Sequence, residues 1–284
     1  MLRLNRPDYH GYEAIVSELA WTGALREAGV VRTPRWIPTL AGEPVARLTT
    51  GPASTPRHAV LFSYARGGHP EAGLGEIGDL AARLHAHARS WRPPARFCRF
   101  SWDLAAALGG GGQPGRWGDW RVDVAGAERG VVEAAESRVR QLLTAYGTAP
   151  SRYGLIHADL RAANLLSEGD GSRAAAFDVI DFDDCGYSWF LYDLAASVSF
   201  LEHRRELPAL IGGWLEGYRR TANVAAADLA VVPSLIMLRR LQLQAWSSSH
   251  ADTEMVRSLG TAFTAGTVEV AERYLSGTLL GGIS

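Results

Sequence analysis

The spacing of apolar and polar residues divides the 284-residue chain into a short mixed region and a longer helical one. Residues 2–5 alternate apolar and polar side chains, which predicts a strand, and residues 13–21 have the spacing of an amphipathic helix. Further strands are predicted from residues 30–34 onward, with a turn at 40–43, and a buried strand over 58–64.

Beyond residue 65 the apolar residues mostly recur at helical spacing. We predict helices over 78–89, 128–146, 189–203, 208–221, 225–248 and 252–275. Residues 91–127 are rich in Trp, Gly and Pro and have no clear period, so we predict a long loop packed by its tryptophans. Three short apolar runs, 155–156, 165–166 and 174–180, are predicted to be strands.

Polar residues with metal-binding oxygens follow these short strands. Asp159 and Asn164 lie five residues apart on the loop between the first two strands, and Asp181 ends the third. Oxygen ligands of this kind suit Mg²⁺, and a carboxylate beside them suits phosphoryl transfer, where positioning and charge neutralisation supply most of the catalysis. The alternative is that Asp159 and Asn164 only stabilise a turn.

Two motifs carry a resemblance to a known family. His-x-Asp-x-x-x-x-Asn at 157–164, followed by Ile-Asp-Phe-Asp at 180–183, resembles the aminoglycoside phosphotransferase and choline kinase-like family. Residues 17–21 are similar to the stress response kinase A and homoserine kinase type II branches. The resemblance implies an α+β, bilobal protein-kinase-like fold. We expect a small mixed N-terminal lobe over 1–64, which binds nucleotide, and a mainly helical C-terminal lobe over 65–284 with the catalytic loop and metal site.

The resemblance also implies roles for individual residues. Asp159 would accept or orient the proton of the acceptor hydroxyl, and Asn164 and Asp181 would hold Mg²⁺ on the phosphates of ATP. Asp193, at a predicted helix start, would hold the catalytic loop by accepting backbone N–H groups, or would simply be a carboxylate at a helix N-terminus. His157 is expected to be structural rather than a base.

The residues available to bind ATP phosphates are unusual, because the chain has 29 arginines and no lysine. Kinases of this fold use a strand lysine paired to a helix glutamate. The resemblance implies that Arg3 and Glu18 replace that pair, although Arg3 also fits a surface arginine. No glycine-rich loop precedes Arg3, so we expect a lobe that lacks its first two strands and a chain that is short at its N-terminus.

The predicted strand over 58–64 corresponds to the hinge between the lobes of the family. Backbone groups at Phe62, Ser63 and Tyr64 would then contact adenine. A plain core strand followed by a turn explains the same residues, and the sequence does not separate these interpretations.

Composition narrows the possible partners and location. A net charge of −1 argues against general binding to nucleic acid or a membrane surface, and no apolar run is long enough to span a bilayer. Two cysteines without metal-ligand spacing fit a reducing cytoplasm, which we expect to be the location. Nothing in the sequence predicts an oligomeric state.

These features predict transfer of the ATP γ-phosphate, with Mg²⁺, to a hydroxyl of a small molecule such as an amino acid, amino alcohol or aminoglycoside. Asp183 and Asp184 would contribute an acidic wall for a cationic substrate, or are ordinary solvated charges. Two alternatives stay open: a catalytically weak pseudokinase or nucleotide-binding module, suggested by the missing glycine loop and lysine, and a Ser/Thr protein kinase of the same fold.

Overall fold

The small mixed region forms an antiparallel sheet around one central strand. The computed structural model describes residues 1–7, 9–49, 56–70, 73–168 and 177–281. Its first elements are listed in chain order as β1 Leu2–Leu4, α1 Tyr12–Glu27, β2 Trp36–Ile37, β3 Ala46–Leu48 and β4 Arg57–Phe62. β4 is central: β1 pairs along one edge of it, and β2 and β3 pair along the other. A small apolar cluster joins α1 to this sheet through Ile15, Leu19, Val45 and Val60.

The remaining elements build a larger helical body. They are α2 Leu74–Ser90, α3 Leu104–Leu108, α4 Gly126–Tyr146, β5 Tyr153–Ile156, β6 Leu165–Leu166, β7 Asp178–Val179, β8 Gly186–Trp189, α5 Tyr192–Ser197, α6 Leu207–Tyr218, α7 Ala226–Leu229, α8 Val232–Ser249 and α9 Glu254–Leu275. β5 pairs with β8 and β6 with β7, both antiparallel, and these two-stranded sheets carry the polar loops. The small cluster is separate from the large core, but Trp21, Leu25 and Val31 belong to the large core, and the division near residue 65 stays a prediction.

Three predicted elements need correction. The helix predicted over 189–203 is strand β8 followed by the short helix α5, because Trp189 pairs with Tyr153 across the two-stranded sheet. The helix predicted over 225–248 is two helices, since Pro233 lacks the N–H that a continuous helix needs there. The strand predicted from residue 30 starts only at Trp36, after Pro34.

Smaller differences affect the loops. The unpatterned segment 91–127 contains α3 and a 3₁₀ turn at Trp120–Val122, so it is partly ordered into short helices. α9 is kinked at Gly260, which adopts φ 55°. Residues 174–176 of the predicted third strand lie outside the described residues. Among the described helices, none is sufficiently long and apolar to cross a membrane.

The crossing of α2 and α6 depends on glycines that let the two backbones touch. A Cβ at Gly217 of α6 would lie 1.8 Å from the carbonyl oxygen of Gly75 in α2, and a Cβ at Gly78 would lie 2.0 Å from that of Trp214. Real Cβ atoms never approach so closely, so any side chain there forces the helices apart. This crossing matters for function because α2 also carries His85, described below.

We expect Gly217→Ala to lower the free energy of unfolding by about 1–3 kcal/mol, because the new methyl group overpacks the crossing. Gly212→Ala on the same helix is the matched control, since a Cβ there meets no atom within 4 Å. Removing a glycine from an open helix position should stabilise by about 0.5–1 kcal/mol. Urea unfolding of both variants checks this, and equal midpoints would contradict the crossing.

Candidate active site

A buried carboxylate from α5 holds the loop that follows β5. Oδ1 of Asp193 accepts the N–H of Ala158 at 2.7 Å, and Oδ2 accepts the N–H of His157 at 3.2 Å. Ala158 has φ +68°, a left-handed conformation that is costly for a residue with a Cβ. The Nε2 atom of His85 lies 2.9 Å from Oδ2 of Asp193. These contacts place Asp193 where the sequence predicted it, at the backbone of the catalytic loop.

His157 joins the two polar loops rather than facing the site. Its Nε2 lies 3.1 Å from the carbonyl oxygen of Ile180, and its Nδ1 lies 3.3 Å from the N–H of Asp159. A carbonyl only accepts and an amide N–H only donates, so these contacts require the neutral ring with its proton on Nε2. The ring therefore links the loop of Asp159 to the backbone of Ile180, directly before Asp181.

Asp159 is held by a buried arginine that the sequence analysis missed. Its Oδ1 accepts from Nη2 of Arg239 in α8 at 2.5 Å. Its Oδ2 accepts from Nδ2 of Asn164 at 2.8 Å and from Nε of Arg161 at 3.2 Å. Arg239 is far more buried than Arg161, with 4% of its side chain exposed against 28%. The ion pair with Arg239 is therefore the stronger constraint on the Asp159 carboxylate.

The other donors of Arg239 are also engaged. They reach the hydroxyl oxygens of Ser199 at 3.0 Å and Tyr192 at 3.3 Å, and the carbonyl oxygen of Ala158 at 3.4 Å. Burial opposes the charge of the guanidinium, but Tyr192 and Asp159 outweigh burial and raise the pKa of Arg239. A signal for this residue was present in the sequence. Arginines inside an apolar helix must find partners in the interior.

Asn164 and Asp181 offer oxygen atoms of the kind that Mg²⁺ binds. Nδ2 of Asn164 donates to both the carbonyl and the carboxylate of Asp159, which leaves Oδ1 free to act as a ligand. Asp181 sits in a left-handed turn with φ 64°, directly after the backbone bond from Ile180 to Asn164. Burial, together with repulsion from Asp159 and Asp184, raises the pKa of Asp181. A bound dication would offset this repulsion between carboxylates, so the oxygen atoms suit Mg²⁺.

Arg3 and Glu18 form the bidentate pair that the sequence suggested. Nη1 and Nη2 of Arg3 donate to the two carboxylate oxygens of Glu18 at 2.7 and 2.8 Å. Burial opposes the charge, but Glu18 outweighs it and raises the pKa of Arg3. Arg3 and Glu18 line a cavity of about 320 Å³ together with Phe62 and Asp181. This cavity reaches the size range of small-molecule sites and connects the arginine to the metal-binding loop.

The predicted hinge residues differ in what they offer a nucleotide. The ring of Phe62 lines the 320 Å³ cavity, but the N–H of Phe62 donates to Met1 and its carbonyl accepts from the N-terminal ammonium. The N–H of Ser63 donates to the carbonyl of Arg35. Tyr64 is 78% exposed. In this structure the N–H groups of Phe62 and Ser63 therefore serve the protein itself.

A second, smaller cavity of about 110 Å³ opens beside Asp159. Its charged lining includes Asp159, Asp184 and Arg239, and its aromatic lining includes Trp117 and Trp246. Oδ1 of Asp184 accepts from the hydroxyl of Tyr9 at 2.6 Å. Burial, then repulsion from Asp183, raises the pKa of Asp184 to about 7.

Asp183 lies beside Asp181. Burial, then repulsion from Asp181, raises the pKa of Asp183 to about 7. Only Asp184 of the two predicted substrate residues therefore lines the smaller cavity.

Arg99 fixes the metal-binding loop from the unpatterned segment. It donates to the backbone carbonyls of Ala14 at 2.9 Å, Cys185 at 2.5 Å and Asp183. Ala14 belongs to α1, so one buried guanidinium ties the helix of Glu18 to the loop that follows Asp181. No local pattern in the sequence marks Arg99, because its partners are all backbone atoms far along the chain.

Comparison with known proteins indicates the family of this chain. The model of the phosphotransferase enzyme family matches residues 1–229. Amicoumacin kinase of Bacillus subtilis is 25% identical over 177 residues, which is 58% of this chain and 48% of that protein. A protein of Deinococcus radiodurans without an assigned function is 28% identical over 218 residues, 74% of this chain and 60% of that protein. The matched regions thus cover 48% and 60% of the length of these two relatives.

Solved structures confirm the bilobal kinase-like fold. A microcompartment-associated aminopropanol kinase superposes with a TM-score of 0.89 at 40% identity, covering 98% of this chain and 86% of that one. An amicoumacin kinase, solved with AMP-PNP, Ca²⁺ and amicoumacin, superposes with a TM-score of 0.74 at 18% identity, covering 100% and 83%. At such low identity the second likeness shows the fold alone.

We expect Arg239→Met to lower the free energy of unfolding by about 3 kcal/mol, because it leaves the Asp159 carboxylate without its buried partner. Arg161→Met is the matched control. It removes the exposed contact to the same carboxylate and should cost less than about 1 kcal/mol.

Combining Arg239→Met with Asp159→Asn should restore part of the loss, because no unpaired charge then remains. Urea unfolding of the single and double variants measures the coupling. Strict additivity of the two substitutions would contradict a direct ion pair.

Proposed function

We propose that this chain, which belongs to the phosphotransferase enzyme family, transfers the γ-phosphate of ATP to the hydroxyl group of a small amino alcohol. The observation that carries the proposal is the 110 Å³ cavity in which Asp159 and Asp184 lie together, next to the loop of Asp181. The 40% identity to an aminopropanol kinase supports the acceptor class.

Asp159 is the group that would act on the acceptor. With Oδ1 held by Arg239 and Oδ2 by Asn164, its carboxylate keeps one orientation toward the cavity. A hydroxyl entering the cavity would donate its hydrogen bond to this carboxylate and pass its proton there as the oxygen attacks phosphorus.

The nucleotide would occupy the 320 Å³ cavity, with its phosphates directed from Arg3 toward Asp181. Asn164 and Asp181 would hold Mg²⁺, which supplies charge neutralisation on the transferred phosphoryl group. Glu18 fixes the Arg3 fork, and a fixed fork binds phosphate oxygens at a lower entropy cost than a free side chain. Arg3 thus takes the place of the lysine that is absent from the sequence.

The size and lining of the smaller cavity favour a small acceptor. A volume of about 110 Å³ matches a molecule of a few heavy atoms. Asp159 would meet the hydroxyl of the acceptor, and the negative charge of Asp184 would attract its ammonium group. Trp117 and Trp246 offer aromatic faces, which attract ammonium groups.

We expect Asp159→Asn to lower kcat at least 100-fold, because the amide cannot accept the proton of the acceptor. The KM for ATP should change little, since Asp159 does not line the nucleotide cavity. Turnover of MgATP with 1-amino-2-propanol, ethanolamine, homoserine and kanamycin tests both the residue and the acceptor class. Faster turnover of kanamycin than of the amino alcohols would overturn the acceptor proposal.

We expect Arg3→Leu to raise the KM for ATP at least tenfold with a smaller effect on the KM for the acceptor, because the phosphate grip is lost. Arg47→Leu is the matched control, an exposed arginine on β3 of the same sheet. If the two variants have the same KM for ATP, Arg3 does not bind the nucleotide.

A further inference from the structure

His10 is a buried histidine whose ring lacks polar partners. Only 6% of the residue is exposed, and neither ring nitrogen has a hydrogen-bond partner. The ring stacks on Phe100 with 5.5 Å between centroids and meets the edge of Tyr9 at 4.4 Å. A neutral imidazole always carries one N–H donor and one lone pair, and leaving both unpaired in the interior is unfavourable. A hydrogen-bonding or metal partner beside the ring would satisfy these nitrogens.

Two carboxylates stand where that partner would lie. One ring nitrogen of His10 and one oxygen each of Asp183 and Asp184 all lie within 4.8 Å of one another. The backbone on both sides is fixed, because Arg99 binds the carbonyls of Asp183 and Cys185, and Trp102 donates to the carbonyl of Asp184 at 2.8 Å. The three groups therefore converge as a consequence of the fold and not of a mobile surface.

We propose that His10, Asp183 and Asp184 form a metal site for a transition dication such as Mn²⁺ or Zn²⁺. This site adjoins the proposed Mg²⁺ position at Asn164 and Asp181, because Asp183 contacts Asp181, but it uses different ligands. The inference does not depend on the proposed function. Metal–ligand bonds of about 2.0–2.2 Å place neighbouring ligand atoms roughly 3–3.5 Å apart, so side-chain rotations must draw the three atoms closer together. One imidazole nitrogen with two carboxylate oxygens favours a transition ion over Mg²⁺, which prefers oxygen ligands alone.

The position of the site gives the ion a structural role. His10 lies between β1, which carries Arg3, and α1, which carries Glu18, whereas Asp183 and Asp184 directly follow Asp181. An ion held by all three would tie the phosphate-binding arginine pair to the metal-binding loop.

The test measures Mn²⁺ binding to the full chain without nucleotide. Electron paramagnetic resonance distinguishes the free ion from the bound ion. The wild-type chain should bind Mn²⁺ with nitrogen coupling from an imidazole in the pulsed spectrum. His10→Phe keeps an aromatic ring against Phe100 but has no lone pair, and should bind Mn²⁺ at least tenfold more weakly without that coupling. His203→Phe, at an exposed histidine, is the matched control and should leave both signals unchanged.

A wild-type chain that binds no Mn²⁺ at millimolar concentration, or whose bound ion lacks nitrogen coupling, overturns the proposal. Unchanged binding in His10→Phe overturns it as well. If His10→Phe fails to fold, Asp184→Asn replaces it, because an amide of the same shape weakens the site without removing a ring. Nitrogen-coupled Mn²⁺ in a chain that phosphorylates no acceptor would sustain this site while refuting the proposed function.

Discussion

The geometry of the catalytic loop depends on the buried carboxylate of Asp193. It accepts two backbone N–H groups at the point where Ala158 is forced into a left-handed conformation, and a third contact comes from His85. A buried carboxylate without such partners would cost several kcal/mol, so the turn and the carboxylate stabilise each other. Asp159 follows directly after this turn, and its direction is therefore set by a residue that takes no part in the chemistry. The helix crossing at Gly217 holds α2, and with it His85, at the distance that this arrangement needs.

Arginine alone supplies the positive charges that organise the site. Arg3 holds Glu18, Arg239 holds Asp159, and Arg99 donates to the backbone carbonyls of Ala14, Asp183 and Cys185. A lysine offers one compact charge, whereas the planar fork reaches two or three acceptors at once. This multiplicity lets single side chains connect segments that are 80 or more positions apart. The absence of lysine from the sequence therefore has a structural counterpart in how the loops are joined.

The sequence predicted the parts of the site that depend on short spacing. Asp159, Asn164 and His157 meet because they share one loop, and Asp193 reaches that loop in the way that the resemblance implied. The sequence did not predict Arg239, Arg99 or His10, whose partners lie far along the chain or are backbone atoms. The helix predicted over 189–203 was wrong at its start. The apolar residues around Trp189 fit a helix and a strand equally well, and only pairing with β5 decides for the strand. The hinge assignment could not anticipate that Met1 and Arg35 would take the N–H groups of Phe62 and Ser63.

Under the proposed function, α8 would connect the reaction and the choice of acceptor through one face. Arg239 binds the carboxylate of Asp159, and one and two turns later Leu243 and Trp246 line the smaller cavity. Substitutions at the last two positions would then reshape the cavity while Arg239 keeps Asp159 in place. A lineage would be able to explore new acceptors by single substitutions without first losing the reaction. The same face would also set a limit, because a shift of the whole helix along its axis would alter substrate range and turnover together.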